Sequence, residues 1–232
     1  MLAGYAAGER GARAAARAGA AVVVVDAFRA STTIAVLVRK GAEVVPVASI
    51  EEAALYHGVD YRIGERGSER VSVFDFGNSP AEIEASVITP GSTVVLSTTN
   101  GTRVLEAAHG APAILAGAFV NASAVADEVA TGVLGEQVMM VGCGWEGRRA
   151  SEDESAAGAI LHRLRERGTS LNGRAERVVE LYLSRPARAL RNNSAARRLM
   201  RLGYEEDIDL CLAENTAPVV PRLVNGAFTD RM

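Results

Sequence analysis

The chain is poor in the side chains most often recruited for metal, redox and stacking chemistry, with two cysteines, three histidines and 5% aromatic residues among 232. Cys143 and Cys211 are too few and too far apart for a disulfide framework, and no CxxC or Cys/His cluster offers a zinc site. His57, His109 and His162 lack metal-ligand spacing and lie in or beside helix-like stretches, so they read as surface or packing residues. No apolar run approaches the roughly 20 residues that span a bilayer. Met1 to Ala20 sets Glu9, Arg10, Arg13 and Arg17 among alanines, unlike the apolar core of a signal peptide. The expectation is a cytoplasmic protein with no membrane partner. Charge of one sign is also missing: 25 Lys and Arg stand against 28 Asp and Glu, net −3, which argues against nucleic acid as a partner. A P-loop is excluded because GxxxxGK[ST] does not occur.

What is present is an ordinary globular balance, 48% hydrophobic and 23% charged, at a length that suits one domain over residues 1–232. Three segments share a layout of apolar run, polar loop and alanine- or leucine-rich helix. The first is Ala21 to Val25, then DAFRASTT, a helix over Ile34 to Lys40 and a returning strand over Val44 to Val47. The second is Thr93 to Leu96, then STTNGT, a helix over Arg103 to His109 and a strand over Ala113 to Ala118. The third is Val138 to Val141, then GCGWEGRRASED and a helix over Glu154 to Arg165. Continuous apolar strands are buried on both faces, which predicts an α/β fold with a mostly parallel sheet and helices on both sides. Ligands in such folds sit beyond the carboxyl ends of the strands, where all three polar loops fall. Tyr61 to Ser86 reads as a structured loop or hairpin ending in a short helix, capped by Ser79 with Pro80 in its first turn. Gly173 to Arg201 reads as basic helix, and Glu205-Glu206-Asp207 as an acidic turn.

Asp26 directly follows four valines, and a carboxylate at a buried strand end is costly unless it meets a metal, a cation or several donors. Arg29 can fork onto phosphate, and Ser31, Thr32 and Thr33 bring hydroxyls and N–H groups at a helix start, together a phosphate cradle. The alternative is that Ser31 caps the helix while Asp26 pairs with Arg29. In the second loop, Thr98, Thr99, Asn100, Gly101 and Thr102 can wrap an anion, or form an ordinary Asn-Gly turn capped by Thr102. The third loop matches GxGxxG, but the acids Glu152, Asp153 and Glu154 that follow would repel a pyrophosphate. They suit a cation instead, and Asp26, Glu152 and Asp153 form a candidate Mg²⁺ set. The alternative there is a capping box from Ser151 to Glu154. Glu65, Arg66 and Asp75 are weaker candidates, and Cys143 reads as a small buried hydrophobe. The arginines at 185, 188, 191, 197 and 198 form a solvated face, or a rim that attracts anions.

The blocks VVVVDAFRASTTIAVLVRKGAEVVPV, IGERG, FDFGNSP, VVLSTTNGTRVL, AFVNASAVA, CGWEGR, SEDESAAGAI and LGYEEDIDLC, in this order from Ala21 to Cys211, resemble the 2-phosphosulfolactate phosphatase family. The resemblance implies a Mg²⁺-dependent phosphatase that releases phosphate from 2-phospho-3-sulfolactate, on the route to coenzyme M. Besides the residues above, it marks Asn78, Ser79, Asn121, Ser123, Glu146, Glu206 and Asp207 as matched polar positions. Three departures stand out. The segment before Ala21 is short and alanine-rich, which puts the first edge strand in doubt. Trp145-Glu146 replaces a common Thr and Asp, and Ala150 replaces a common Ser.

The expected catalytic residues are Asp26, Arg29 and Asp153, with Asp26, Glu152 and Asp153 on the metal. Ser31, Thr32, Thr33, Thr98, Thr99, Asn100, Gly101, Thr102, Glu65, Arg66 and Asn121 are the expected substrate contacts, and Arg66 with Arg103 or Arg148 the cations for the substrate's other anionic groups. A non-catalytic binder of phosphorylated metabolites, or a phosphatase for a different hydroxy acid, is the competing reading. A homodimer is the base-rate expectation for assembly.

Overall fold

A computed structural model describes residues 1–230. The elements run β1 (Leu2–Ala7), α1 (Gly8–Arg17), β2 (Ala21–Val25), α2 (Ala30–Arg39), β3 (Glu43–Pro46), α3 (Ile50–Leu55), β4 (Tyr61–Arg66), β5 (Glu69–Arg70) and α4 (Pro80–Ala85). They continue with β6 (Thr93–Ser97), α5 (Gly101–Ala107), β7 (Ile114–Gly117), α6 (Ala122–Ala130), β8 (Gln137–Gly142), α7 (Ser151–Glu166), β9 (Ser170–Leu171) and α8 (Gly173–Ser184). The chain ends with α9 (Ser194–Arg201), α10 (Glu205–Leu212), β10 (Pro221–Val224) and β11 (Ala227–Asp230).

One sheet of 11 strands results, in the order β5-β4-β6-β3-β11-β10-β7-β2-β8-β1-β9. The pairs β2–β7, β2–β8, β3–β6, β4–β6, β1–β8 and β1–β9 are parallel. The valines of β2 explain the layering. Val22 and Val24 pack with Ala12 of α1, Ile34 and Leu37 of α2 and Val104 of α5. Val23 and Val25 pack with Val125 of α6 and Ile160 and Leu164 of α7 on the opposite face. Strand alternation thus gives β2 two apolar faces, each covered by helices, as its unbroken valine run requires.

Two parts of the sheet were not expected from the sequence. Leu2–Ala7 is a strand, fully registered against β8 from Leu2 with Gln137 to Ala7 with Gly142, so the doubt about a leading strand is resolved in its favour. It is inserted between β8 and β9, where pairing on both sides makes up for the weak strand propensity of its alanines. The C-terminal β10–β11 hairpin is wedged antiparallel into the middle of the sheet, between β7 and β3, and buries Phe228 in the core.

The segment 61–86 contains the hairpin, with Glu65 opposite Arg70, and the helix in which Ser79 Oγ accepts from Glu82 N behind Pro80. The basic stretch is broken into α8, a 3₁₀ turn over Ala187–Asn192 and α9, and the acidic triplet opens α10. Among the described residues, no helix is long and apolar enough to cross a membrane.

Candidate active site

At the carboxyl ends of β2, β4 and β8 lies a pocket with about 390 Å³ of empty space, lined by Asp26, Arg29, Glu65, Glu152, Asp153 and Arg198, with Phe28, Ser68, Asn78, Asn100, Gly144 and Trp145. Four carboxylates and two guanidinium groups therefore converge from four parts of the chain.

The loop after β2 folds around Asp26. Asp26 Oδ1 accepts from Ala30 N at 3.2 Å, the Asp26 carbonyl accepts from Ser31 N at 3.0 Å, and Asp26 N donates to Ser31 Oγ. Ser31 Oγ in turn donates to the Val24 carbonyl, and Thr32 Oγ1 to that of Ala27. This corrects the phosphate cradle expected from Ser31, Thr32 and Thr33. All three side chains are buried, and several donors of the helix start already serve Asp26 and its own backbone. Asp26 does not pair with Arg29, which instead donates from Nη1 to Asp207 Oδ2 at 2.6 Å and from Nη2 to the Ser68 carbonyl at 2.7 Å. Arg29 also lies over the Tyr204 ring at 4.4 Å. Asp207 Oδ1 accepts from Ser79 Oγ and Ala81 N, so α10, α4 and the Asp26 loop share one buried node.

Asp153 joins the loops after β2 and β8. Its Oδ1 accepts from Ala27 N at 2.9 Å and its Oδ2 from Gly144 N at 2.8 Å, leaving each oxygen a further lone pair. Gly144 turns back so tightly, at φ +72°, that a Cβ there would stand 2.3 Å from the Arg148 carbonyl. Glu154 is paired bidentately with Arg149, at 2.5 and 2.9 Å, and no capping box forms because Ala150 occupies the N-cap.

Glu152 Oε2 accepts from Asn193 Nδ2 at 2.8 Å. Glu65 accepts from Ser68 N, Thr99 N and Thr99 Oγ1. Gly101 brings α5 against the site, and a Cβ on it would meet Asp26 Oδ2 at 3.3 Å.

Crowded acids in a dry place resist ionisation. Burial, with the nearby Glu65 and Glu152 charges, pushes Asp26 up to about 7 against the hydrogen bond from Ala30 N. Burial followed by Asp26 and Glu152 raises Asp153 well above the usual carboxylate range, and burial raises Glu152. Burial keeps the Cys143 thiol protonated, which fits its reading as a small hydrophobe.

Several expected contacts lie elsewhere. Asn121 is buried with its amide spent on Ala118 N and on the Ala116 and Val219 carbonyls. Thr102 Oγ1 donates to the Thr98 carbonyl, and Thr98, Thr102 and Gly101 line a narrow apolar cleft behind Asp26. Arg66 is held by the Glu65 carbonyl and Ser97 Oγ, while Arg148 is exposed, and neither it nor Arg103 lines the pocket. Asp75 closes the hairpin by accepting from Arg62 N.

The cation facing the pocket is Arg198 of α9. It stacks over Trp145 at 3.6 Å and donates from Nε to Ser68 Oγ, while its terminal nitrogens have no hydrogen-bond partner among the described residues. Sequence reading placed it in a general basic face. Asn78, whose buried Oδ1 has no partner among the described residues, also lines the pocket, though only the family resemblance had marked it.

The profile of the 2-phosphosulpholactate phosphatase family matches residues 9–226. The chain belongs to this family. A protein of Thermotoga petrophila named probable 2-phosphosulfolactate phosphatase is 38% identical over 209 residues, covering 89% of this chain and 90% of its own. Proteins of the same name from Synechococcus sp. JA-2-3B'a(2-13) and Carboxydothermus hydrogenoformans are 41% and 39% identical, covering 87% of this chain and 88% and 85% of theirs. Phosphatase chemistry invites a divalent metal, and the donors present bear on it. Among the described residues no three His, Cys, Asp or Glu side chains form a ready metal cluster, so the expected set of Asp26, Glu152 and Asp153 is not preassembled. The observed arrangement fits a hard cation that takes one or two carboxylates and keeps its waters. Once ionised, the four carboxyl groups would outweigh Arg198 and an Arg29 already balanced by Asp207, an excess of negative charge that a divalent ion offsets.

Proposed function

We propose that the chain is a cytoplasmic, Mg²⁺-dependent phosphatase that hydrolyses 2-phospho-3-sulfolactate to sulfolactate and phosphate, in the service of coenzyme M synthesis. The observation that carries this reading is the convergence of Asp26 and Asp153 with Arg29 and Arg198 around one pocket in a member of this family. Asp26 and Asp153 would hold the metal, which supplies charge neutralisation at the phosphoryl oxygens.

The chain's own groups do the rest. Arg198, buttressed by Trp145 and Ser68, binds a terminal anionic group of the substrate, and the amides of Asn78 and Asn100 orient it. Arg29, locked by Asp207, presents fixed positive charge to the oxygens on which charge develops, without reorganising during the reaction. Net hydrolysis forms a new P–O bond to water and breaks the ester P–O bond, with the departing hydroxy acid taking up a proton. The bond from Ala30 N to Asp26 Oδ1 keeps the carboxylate aimed into the pocket.

Phosphate release from 2-phospho-3-sulfolactate, measured with Mg²⁺ and with EDTA, is the test. Turnover is expected with metal and not without it, and Asp26→Asn should abolish it with an unchanged circular dichroism spectrum. Binding without release would favour the non-catalytic reading. Trp145, which stacks on Arg198 at the pocket, favours examining phosphorylated hydroxy acids that differ at the end facing Arg198. One domain over residues 1–232 is proposed on the continuity of the sheet, and a homodimer on the frequency of two-fold assemblies, which light scattering would decide.

A further inference from the structure

On the far side of the first turn of α7 from the active site, a second depression with about 750 Å³ of empty space opens beside the carboxyl end of β1. Tyr5 forms its floor, Glu154 and Arg149 one wall, and Arg174 and Arg177 of α8 the other, with Val178 adding an apolar patch. Tyr5 is only 6% exposed, yet its hydroxyl has no hydrogen-bond partner among the described residues. That hydroxyl still reaches the surface of the cleft, where it can donate to an occupant or to water. The charges point to the ligand's sign. Glu154 is neutralised by two bonds from Arg149, while Arg174 and Arg177 have no carboxylate partner among the described residues, whose charges thus leave the cleft a surplus of two positive charges.

We infer that this cleft is a second binding site, for a small organic dianion such as a dicarboxylate, held between Arg174 and Arg177 with an oxygen accepting from the Tyr5 hydroxyl. Two guanidinium forks on one helix, one turn apart, match two anionic groups joined by a short chain, and Val178 lies under that chain. The site is separate from the catalytic pocket, and the inference does not depend on the phosphatase reading. Its wall is nonetheless the Glu154 that follows Asp153, so an occupant would bear on the turn that carries the catalytic carboxylate.

Calorimetric titration with malonate tests it, using the wild type, Arg198→Ala, Tyr5→Phe and the double variant Arg174→Ala/Arg177→Ala. Arg174 and Arg177 are exposed, and alanine suits a helix, so the double variant should fold. Malonate should bind Arg198→Ala with the Kd of this cleft unchanged, weaken several-fold in Tyr5→Phe and weaken about tenfold or more in the double variant, where tenfold is about 1.4 kcal/mol. Binding that is lost in Arg198→Ala, or retained in full by the double variant, would place malonate in the catalytic pocket and overturn the inference.

Discussion

Replacing Asp26 by Asn should abolish catalysis and make the metal-free protein more stable. Asp26 sits among Glu65, Glu152 and Asp153, and its pKa is pushed from 3.8 to about 7, mainly by burial and then by the Glu65 and Glu152 charges, against the hydrogen bond from Ala30 N. An acid whose native pKa exceeds its unfolded value keeps its proton in the folded state while the unfolded chain releases it. Native stability therefore falls as pH rises from about 4 to about 7 and stays low above that. The span from 3.8 to about 7, at about 1.4 kcal/mol per unit, corresponds to roughly 4 kcal/mol lost at pH 8. Asparagine removes the charge and can keep the bond from Ala30 N, so most of that loss should be recovered. With an m-value of about 2–3 kcal/mol/M, the urea midpoint at pH 8 in EDTA should rise by roughly 1.5 M. Mg²⁺ should shrink that advantage by more than half, because wild type gains binding free energy that the variant largely forgoes, about 2.7 kcal/mol at 100 times Kd. Equilibrium urea unfolding with EDTA and with Mg²⁺ reads both effects. A variant no more stable than wild type in EDTA, or equally stabilised by Mg²⁺, would refute the picture of Asp26 as a strained carboxylate held ready for a cation.

Asp207→Ala strands the buried Arg29 and should cost about 3–5 kcal/mol, while Arg29→Met/Asp207→Ala should recover part of that in the same unfolding assay. Arg198→Ala should raise KM for the phosphorylated substrate about tenfold or more, since it removes the one pocket guanidinium without a carboxylate partner among the described residues. A change confined to kcat would argue against this binding role. Mg²⁺ affinity should weaken as pH falls through about 7, where Asp26 gains its proton, and calorimetry between pH 8 and pH 6 would show it. Asn121→Ala should destabilise the protein by about 1–3 kcal/mol through its three lost backbone bonds and leave KM unchanged.

The parallel sheet was legible because β2, β6 and β8 are apolar runs each followed by a polar loop, a pattern that only a strand buried on both faces explains. The leading strand LAGYAA was not, because its alanines carry no strand preference and it is defined by β8 and β9 on either side. The central β10–β11 hairpin escaped for a similar reason. Its position depends on a gap between β7 and β3 that no local pattern announces. Within the site, Asp26 and Asp153 were legible as carboxylates at strand and helix ends. The hydroxyls of Ser31 and Thr32 misled, because composition reports how many donors a loop has and not that its own backbone will consume them.

The pocket divides its charges by origin, which explains why its cations were harder to find than its acids. The carboxylates come from strand-end loops, β4 and the start of α7, positions fixed by the sheet. Arg198 arrives from α9, and the partner that fixes Arg29 arrives from α10, both in the C-terminal helical segment that closes over the sheet edge. An acidic floor alone would repel a phosphate ester, and a basic cover alone would bind it without favouring reaction. Because Arg29 is locked to Asp207 and Arg198 is stacked on Trp145, the positive charge is held at fixed places above the carboxylates. The C-terminal helices therefore serve as half of the electrostatic site as well as part of the scaffold. Variants that loosen α10 from α4 should behave as active-site variants even though they touch no reacting group, because Asp207 is the node through which α10, α4 and Arg29 are joined.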